Sequence, residues 1–170
     1  MTIGVPKEIK IGETRVSMTP SLCRRVTSLG GKVLIEKGAG LSAGFTDDQY
    51  KAAGASFATT AAKVWKSADM ILKVKEPLEA EYGLLQQGQT IFTYLHLAAG
   101  PKLAKELCRK GILGIAYETV EGVDGSFPLL KPMSQIAGRL SIQIGAYFLQ
   151  SQLGGSGTLL GGIPGTMPGH

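Results

Sequence analysis

Apolar and polar positions alternate along the chain in short blocks of two kinds. Ile3 to Val5 is a brief apolar run ended by Pro6, and Val33 to Ile35, Met70 to Val74, Thr90 to Leu95 and Ile112 to Tyr117 are four more. Runs this short, set between turn residues, predict strands. Helical segments are predicted between them. Thr19-Pro20 supplies a capping hydroxyl and a first-turn proline for a helix through Leu22, Val26 and Leu29, which stops at Gly30-Gly31. Gly38 to Phe45 is a loop, Thr46-Asp47-Asp48 opens a short helix ended by Gly54, and another short helix precedes Met70. Pro101 to Lys110 predicts a helix closed by Gly111, and Ser134 to Gln150 a longer one with Ile136, Leu140, Ile144 and Tyr147 near helical spacing.

This alternation predicts an α/β fold, a mostly parallel sheet with helices on both faces, Rossmann-like in form. Ligands of such sheets bind at the carboxyl ends of the strands, so the residues just after each strand are the candidates for chemistry. The expected organisation is a substrate-binding domain over 1–131. Residues 132–170 then form an interdomain helix and a glycine-rich lead-in. The tail from Gly154 to His170 holds seven glycines and two prolines. It reads as the approach to a domain that these 170 residues do not contain. Gly155-Ser156-Gly157 begins like a dinucleotide fingerprint, but Leu160 stands at the place of the third glycine and no βαβ unit surrounds it.

Composition narrows the class. Hydrophobic residues make up 44% and charged residues 18%, which is globular rather than disordered. The net charge is +5, yet basic and acidic residues interleave and no basic run appears, so nucleic acid is not an expected partner. No apolar run reaches membrane-spanning length and no signal peptide opens the chain, so a cytoplasmic protein without a membrane partner is expected. Cys23 and Cys108 lack metal-ligand spacing and form no disulfide framework.

Three strand ends carry candidate side chains. Arg15 lies in the loop after the first strand, where a guanidinium either forks onto a carboxylate or stays solvated. Lys73-Val74-Lys75-Glu76-Pro77 closes the third strand, and strand alternation puts Lys73 and Lys75 on one face, as cleft cations or as an ordinary charged terminus. His96 follows the fourth strand, between Leu95 and Leu97, where partial desolvation is expected; it is either a proton carrier or a structural histidine. Two cations and an imidazole at the ends of one sheet suit a small oxo acid.

Several ordered motifs share a resemblance. Ile3-Gly4-Val5-Pro6-Lys7-Glu8 with Arg15-Val16 and Thr19-Pro20 resembles the opening of alanine dehydrogenases and their transhydrogenase relatives. Val33 to Gly44, Leu72 to Pro77, Phe92 to Ala99, Ala116-Tyr117-Glu118-Thr119 and Pro132-Met133-Ser134 with Ala137-Gly138-Arg139 are similar too, so the resemblance covers essentially the whole chain. In the transhydrogenase branch the lysine is typically asparagine and a tryptophan-proline motif replaces the histidine motif. Lys75 and Tyr94-Leu95-His96-Leu97 place the chain with the dehydrogenases.

The resemblance implies reversible, NAD-dependent oxidative deamination of L-alanine to pyruvate and ammonia by a homo-oligomer, a hexamer in the family. It implies that Arg15 and Lys75 bind the substrate carboxylate, that His96 is the acid/base and that Ser134 lies beside the cofactor. Glu118 matches a residue near a magnesium site in some members, though no metal ligand is expected here. The departure is in length. The family's NAD-binding domain, with the aspartate that assists the histidine, is not in this sequence, so the fragment alone is expected to be inactive. Two other readings are a transhydrogenase-like nucleotide-binding subunit and a sensor of small oxo acids.

Overall fold

Residues 1–165 are described in the computed structural model, and the last stretch of the predicted tail, up to His170, lies outside them. The strands are β1 (Thr2–Val5), β2 (Lys32–Glu36), β3 (Ser56–Ala58), β4 (Met70–Leu72), β5 (Thr90–Thr93) and β6 (Leu113–Ala116). The helices are α1 (Pro20–Ser28), α2 (Asp47–Ala52), α3 (Ala61–Ser67), α4 (Pro101–Arg109) and α5 (Lys131–Phe148). The chain divides into two compact units, Met1–Val120 and Glu121–His170.

In the first unit every strand pairing is parallel, and the strand order is β3-β2-β1-β4-β5-β6. The chain winds outward from β1 to one edge, returns to β4 beside β1, and winds outward again to the other. This is the predicted parallel α/β sheet with helices on both faces, and its order is doubly wound, with the topological switch between β1 and β4.

The two faces have separate cores, as strand alternation requires. Ile71, Ile91, Val64, Trp65, Leu103 and Leu107 form one, under α3 and α4. Val5, Val33, Ile35, Leu72, Cys23 and Tyr50 form the other, under α1 and α2. Local sequence fixes where these helices start. Thr19 caps α1 by accepting from the Leu22 N–H, with Pro20 in the first turn. Thr46 and Gln49 close a reciprocal capping box on α2, and Thr60 caps α3.

The structure differs from the predicted elements at a few places. The three-residue edge strand β3 lies in a stretch too short to show a period. Strands β4 and β5 end at Leu72 and Thr93, although the Lys73 N–H still donates to the Phe92 carbonyl and the Tyr94 N–H to the Val74 carbonyl. Helix α5 starts at Lys131, since Pro132 occupies its first turn, where a missing N–H costs no hydrogen bond. In the second unit the Gly157 N–H donates to the Leu149 carbonyl at 2.8 Å, folding the glycine segment back onto the end of α5.

One glycine marks the closest approach of helix to sheet. A Cβ on Gly4 of β1 would lie 2.6 Å from Ala68 Cβ and 2.8 Å from Val64 Cγ1, so α3 crosses β1 only because this position has no side chain. Gly4→Ala is expected to destabilise the first unit by about 1–3 kcal/mol, the usual cost of overpacking a filled core. The shift in urea midpoint, followed by Trp65 fluorescence, measures it.

Candidate active site

The parallel order brings four carboxyl ends to one edge of the sheet, side by side. Arg15 follows β1, Lys75 follows β4, His96 follows β5 and Glu118 follows β6. Arg15 and Lys75 therefore stand on either side of the topological switch, the place where open α/β sheets bind ligands. Ser134 stands in the second unit, exposed near the start of α5.

Below the site is a buried ionic cluster. Lys73 is 1% exposed, and its Nζ donates to Glu8 Oε2 at 3.2 Å and to Glu81 Oε1 at 3.0 Å. Glu8 also accepts the Val74 N–H at 2.6 Å, and Glu81 accepts the Leu78 N–H at 3.0 Å. Three segments are thus joined: the loop after β1, the loop after β4 and the 3-10 turn Glu79–Leu84. The expected likeness of Lys73 and Lys75 does not hold. The regular strand ends at Leu72, and only Lys73 is enclosed, whereas Lys75 is half-buried. Lys10 pairs with Glu76 beside this cluster. Burial pushes the Glu76 carboxyl up, but the hydrogen bond and charge of Lys10, with a smaller contribution from His96, bring it below its ordinary value.

Arg15 is held by a carboxylate two residues earlier. Its Nε donates to Glu13 Oε1 at 2.8 Å and its Nη2 to Glu13 Oε2 at 2.6 Å, which fixes the plane of the guanidinium. The Glu13 carboxyl falls to about 2. Side-chain hydrogen bonds from Arg15 lower it most, burial opposes them, and the charges of Arg15 and Lys75 lower it further. The Lys75 ammonium therefore lies within electrostatic reach of the Glu13–Arg15 pair. A carboxyl lowered on folding stabilises above its ordinary value of 4.5, and the contribution is lost as the pH falls toward 2.

His96 adopts φ 47° and ψ 39°, and it is the one non-glycine residue with positive φ among those described. Its ring stacks on Tyr94 with centroids 5.9 Å apart and planes 15° apart. Tyr94 in turn meets Tyr117 edge-on, and burial raises both phenols above their ordinary values. The desolvation expected of His96 is not found: the strand stops three residues before it and the side chain is exposed. The Glu118 carboxylate accepts from the His96 N–H at 2.8 Å and the Leu95 N–H at 3.1 Å. No group of three or more metal-ligating side chains occurs among the described residues, around Glu118 or elsewhere.

Sequence reasoning chose Arg15, Lys75 and His96, and the fold brings all three to one edge. It missed Glu13 and Tyr94, which orient two of them, and the Lys73–Glu8–Glu81 cluster. The charge run Lys73-Val74-Lys75-Glu76 was the only trace of that cluster.

The family model described as alanine dehydrogenase/PNT, N-terminal domain, matches residues 4–137. The chain belongs to this family. An alanine dehydrogenase from Methanococcus maripaludis is 57% identical over 168 residues, 99% of this chain and 45% of that protein. An alanine dehydrogenase from Bacillus subtilis is 52% identical over 170 residues, 99% of this chain and 44% of that protein. A solved L-alanine dehydrogenase superposes with a TM-score of 0.86 at 56% identity, covering 99% of this chain and 46% of that one. A transhydrogenase from Sinorhizobium meliloti gives 0.65 at 30% identity, over 69% of this chain and 34% of that one. The chain thus spans about half the length of the relatives it matches, and corresponds to their N-terminal half. The described residues do not fit a dinucleotide. No strand element leads into Gly155-Ser156-Gly157 and no helix follows it. No helix among them is long and apolar enough to cross a membrane.

The ionic cluster makes a stability prediction. Lys73→Met keeps the stem but leaves the Glu8 and Glu81 carboxylates enclosed without their cation. A loss of about 3–5 kcal/mol is expected in chemical denaturation.

Proposed function

We propose that this chain is the substrate-binding half of an enzyme that interconverts L-alanine with pyruvate and ammonia, using NAD. The observation that supports this most is the placement of Arg15, Lys75 and His96 after three strands that are neighbours in the sheet, around its topological switch. Arg15 and Lys75 hold the substrate carboxylate, one by a planar fork and one as a point charge. Water adds to the imine to give a carbinolamine; His96 takes its hydroxyl proton as the C–N bond breaks, ammonia leaves and the carbonyl forms, and returns it in the reverse direction. A nicotinamide would supply or accept the hydride when bound, and the described residues offer no loop for its pyrophosphate. Ser134 would lie beside that cofactor. Lys75 and His96 favour this reading over a transhydrogenase-like subunit. The apolar residues exposed along α5, among them Ile136, Ile142, Ile144 and Phe148, support assembly as a homo-oligomer.

The test is kinetic, in the complete enzyme, meaning this chain joined to the length its relatives carry beyond it. Arg15→Lys is expected to raise KM for pyruvate about 10- to 100-fold, the worth of one hydrogen bond to a charged group, and to leave NADH binding unchanged. His96→Ala is expected to lose about two to four decades of kcat. An NADH affinity that falls as far as pyruvate affinity, or a His96→Ala variant with normal turnover, refutes the assignment.

A further inference from the structure

His96 has an unusual backbone for a residue with a side chain. Left-handed φ and ψ crowd the Cβ against the backbone and are disfavoured unless the surroundings impose them. Here a carboxylate takes up the backbone N–H of His96 and that of the residue before it. Glu118 Oε1 accepts the N–H groups of both His96 and Leu95, at 2.8 and 3.1 Å, and Oε2 lies 3.3 Å from the Leu95 nitrogen. Two consecutive N–H groups converge on one anion, and charge-assisted bonds of this kind are the strong ones. Glu118 reaches them from the 3-10 turn Tyr117–Thr119 after β6, while β6 is locked beside β5 by the register Thr93↔Ala116. Leu95 is 3% exposed and Glu118 is half-buried, whereas His96 is exposed. From His96 the chain enters the turn Leu97–Ala99, whose Ala99 N–H bonds the His96 carbonyl at 3.0 Å. A hollow of about 440 Å³ opens here, lined by His96, Glu118, Ala99 and Ala116.

We propose that Glu118 is the positioning residue of the site: its carboxylate holds the His96 backbone in the left-handed conformation that aims the imidazole along Tyr94 toward the substrate cleft. The proposal rests on the acid/base reading of His96 given above. Without the carboxylate, the Leu95 and His96 N–H groups lose their common acceptor and His96 relaxes toward an ordinary backbone. That rotation moves the Cα–Cβ bond and takes the ring off Tyr94. The carboxylate clamp at Arg15 and Lys75 is on other strand ends and is unaffected.

A double-mutant cycle in the complete enzyme tests this. Glu118→Ala alone is expected to lower kcat for reductive amination of pyruvate about 10- to 100-fold, the cost of misplacing a catalytic group by about an ångström. KM for pyruvate is expected to stay within about twofold of wild type, a split that general loosening of the fold does not produce. On a His96→Ala background, Glu118→Ala is expected to cost nothing further in kcat. If Glu118→Ala does not fold, Glu118→Gln carries the cycle. Its neutral amide oxygen can keep both bonds at reduced strength while its NH2 group faces the Leu95 N–H, so a smaller loss of several-fold is expected, again absent without His96. An equal loss on both backgrounds, or none on wild type, overturns the proposal. A slow His96→Ala variant with an additive Glu118 loss refutes Glu118 alone. A His96→Ala variant with normal turnover refutes the acid/base reading, and the positioning role falls with it.

Discussion

The ammonium of Lys73, enclosed between Glu8 and Glu81, holds together the parts of the sheet edge on which the site depends. Burying a cation this far from water is costly unless anions pair with it, and the two carboxylates are held in turn by backbone N–H groups of Val74 and Leu78. The cluster ties the loop that carries Arg15 to the loop that carries Lys75, across the gap where strand order reverses. Hydrophobic packing on the two faces builds the sheet. It does not by itself determine where the loops beyond the strand ends go; the ionic cluster does.

The side chains above that floor are each held by a neighbour of matching chemistry. Glu13 forks onto Arg15, Tyr94 stacks on His96, and Glu118 gathers the N–H groups at the end of β5. Glu13 and Tyr94 come from the same loop or strand end as the residues they support, and Glu118 comes from the strand end next to that of His96. The parallel order makes this possible, because β1, β4, β5 and β6 present their carboxyl ends in a row. A site for a small oxo acid requires such support, since a substrate of a few atoms has no remote part whose binding could pull catalytic groups into place.

Much of this was legible in the chain itself. Capping residues at Thr19 and Thr46, a first-turn proline at Pro101 and glycine stops at Gly30, Gly54 and Gly111 marked the helices, because those signals act locally. Short apolar runs marked five of the six strands; β3 was hidden because Ser56–Ala58 is too short to show alternation. Arg15, Lys75 and His96 could be chosen because the carboxyl-end rule needs only the strand order of the sequence. The contacts of Glu118 and Glu8 could not. Glu118 lies 22 residues from His96 and Glu8 lies 65 from Lys73, so only the folded register brings them together. The left-handed backbone of His96 has no sequence signature, since no glycine marks it. The exposure of His96 was misjudged because flanking leucines suggest burial only while the strand continues, and it ends at Thr93.

The central claim is that the cations at the ends of β1 and β4 and the imidazole at the end of β5 take hold of one oxo acid. A crystal structure of the complete enzyme with pyruvate tests it most directly. The account predicts the pyruvate carboxylate on Arg15 and Lys75, with the carbonyl oxygen within hydrogen-bond distance of the His96 ring. Pyruvate bound with its carboxylate away from both cations, or with its carbonyl turned from His96, would contradict it.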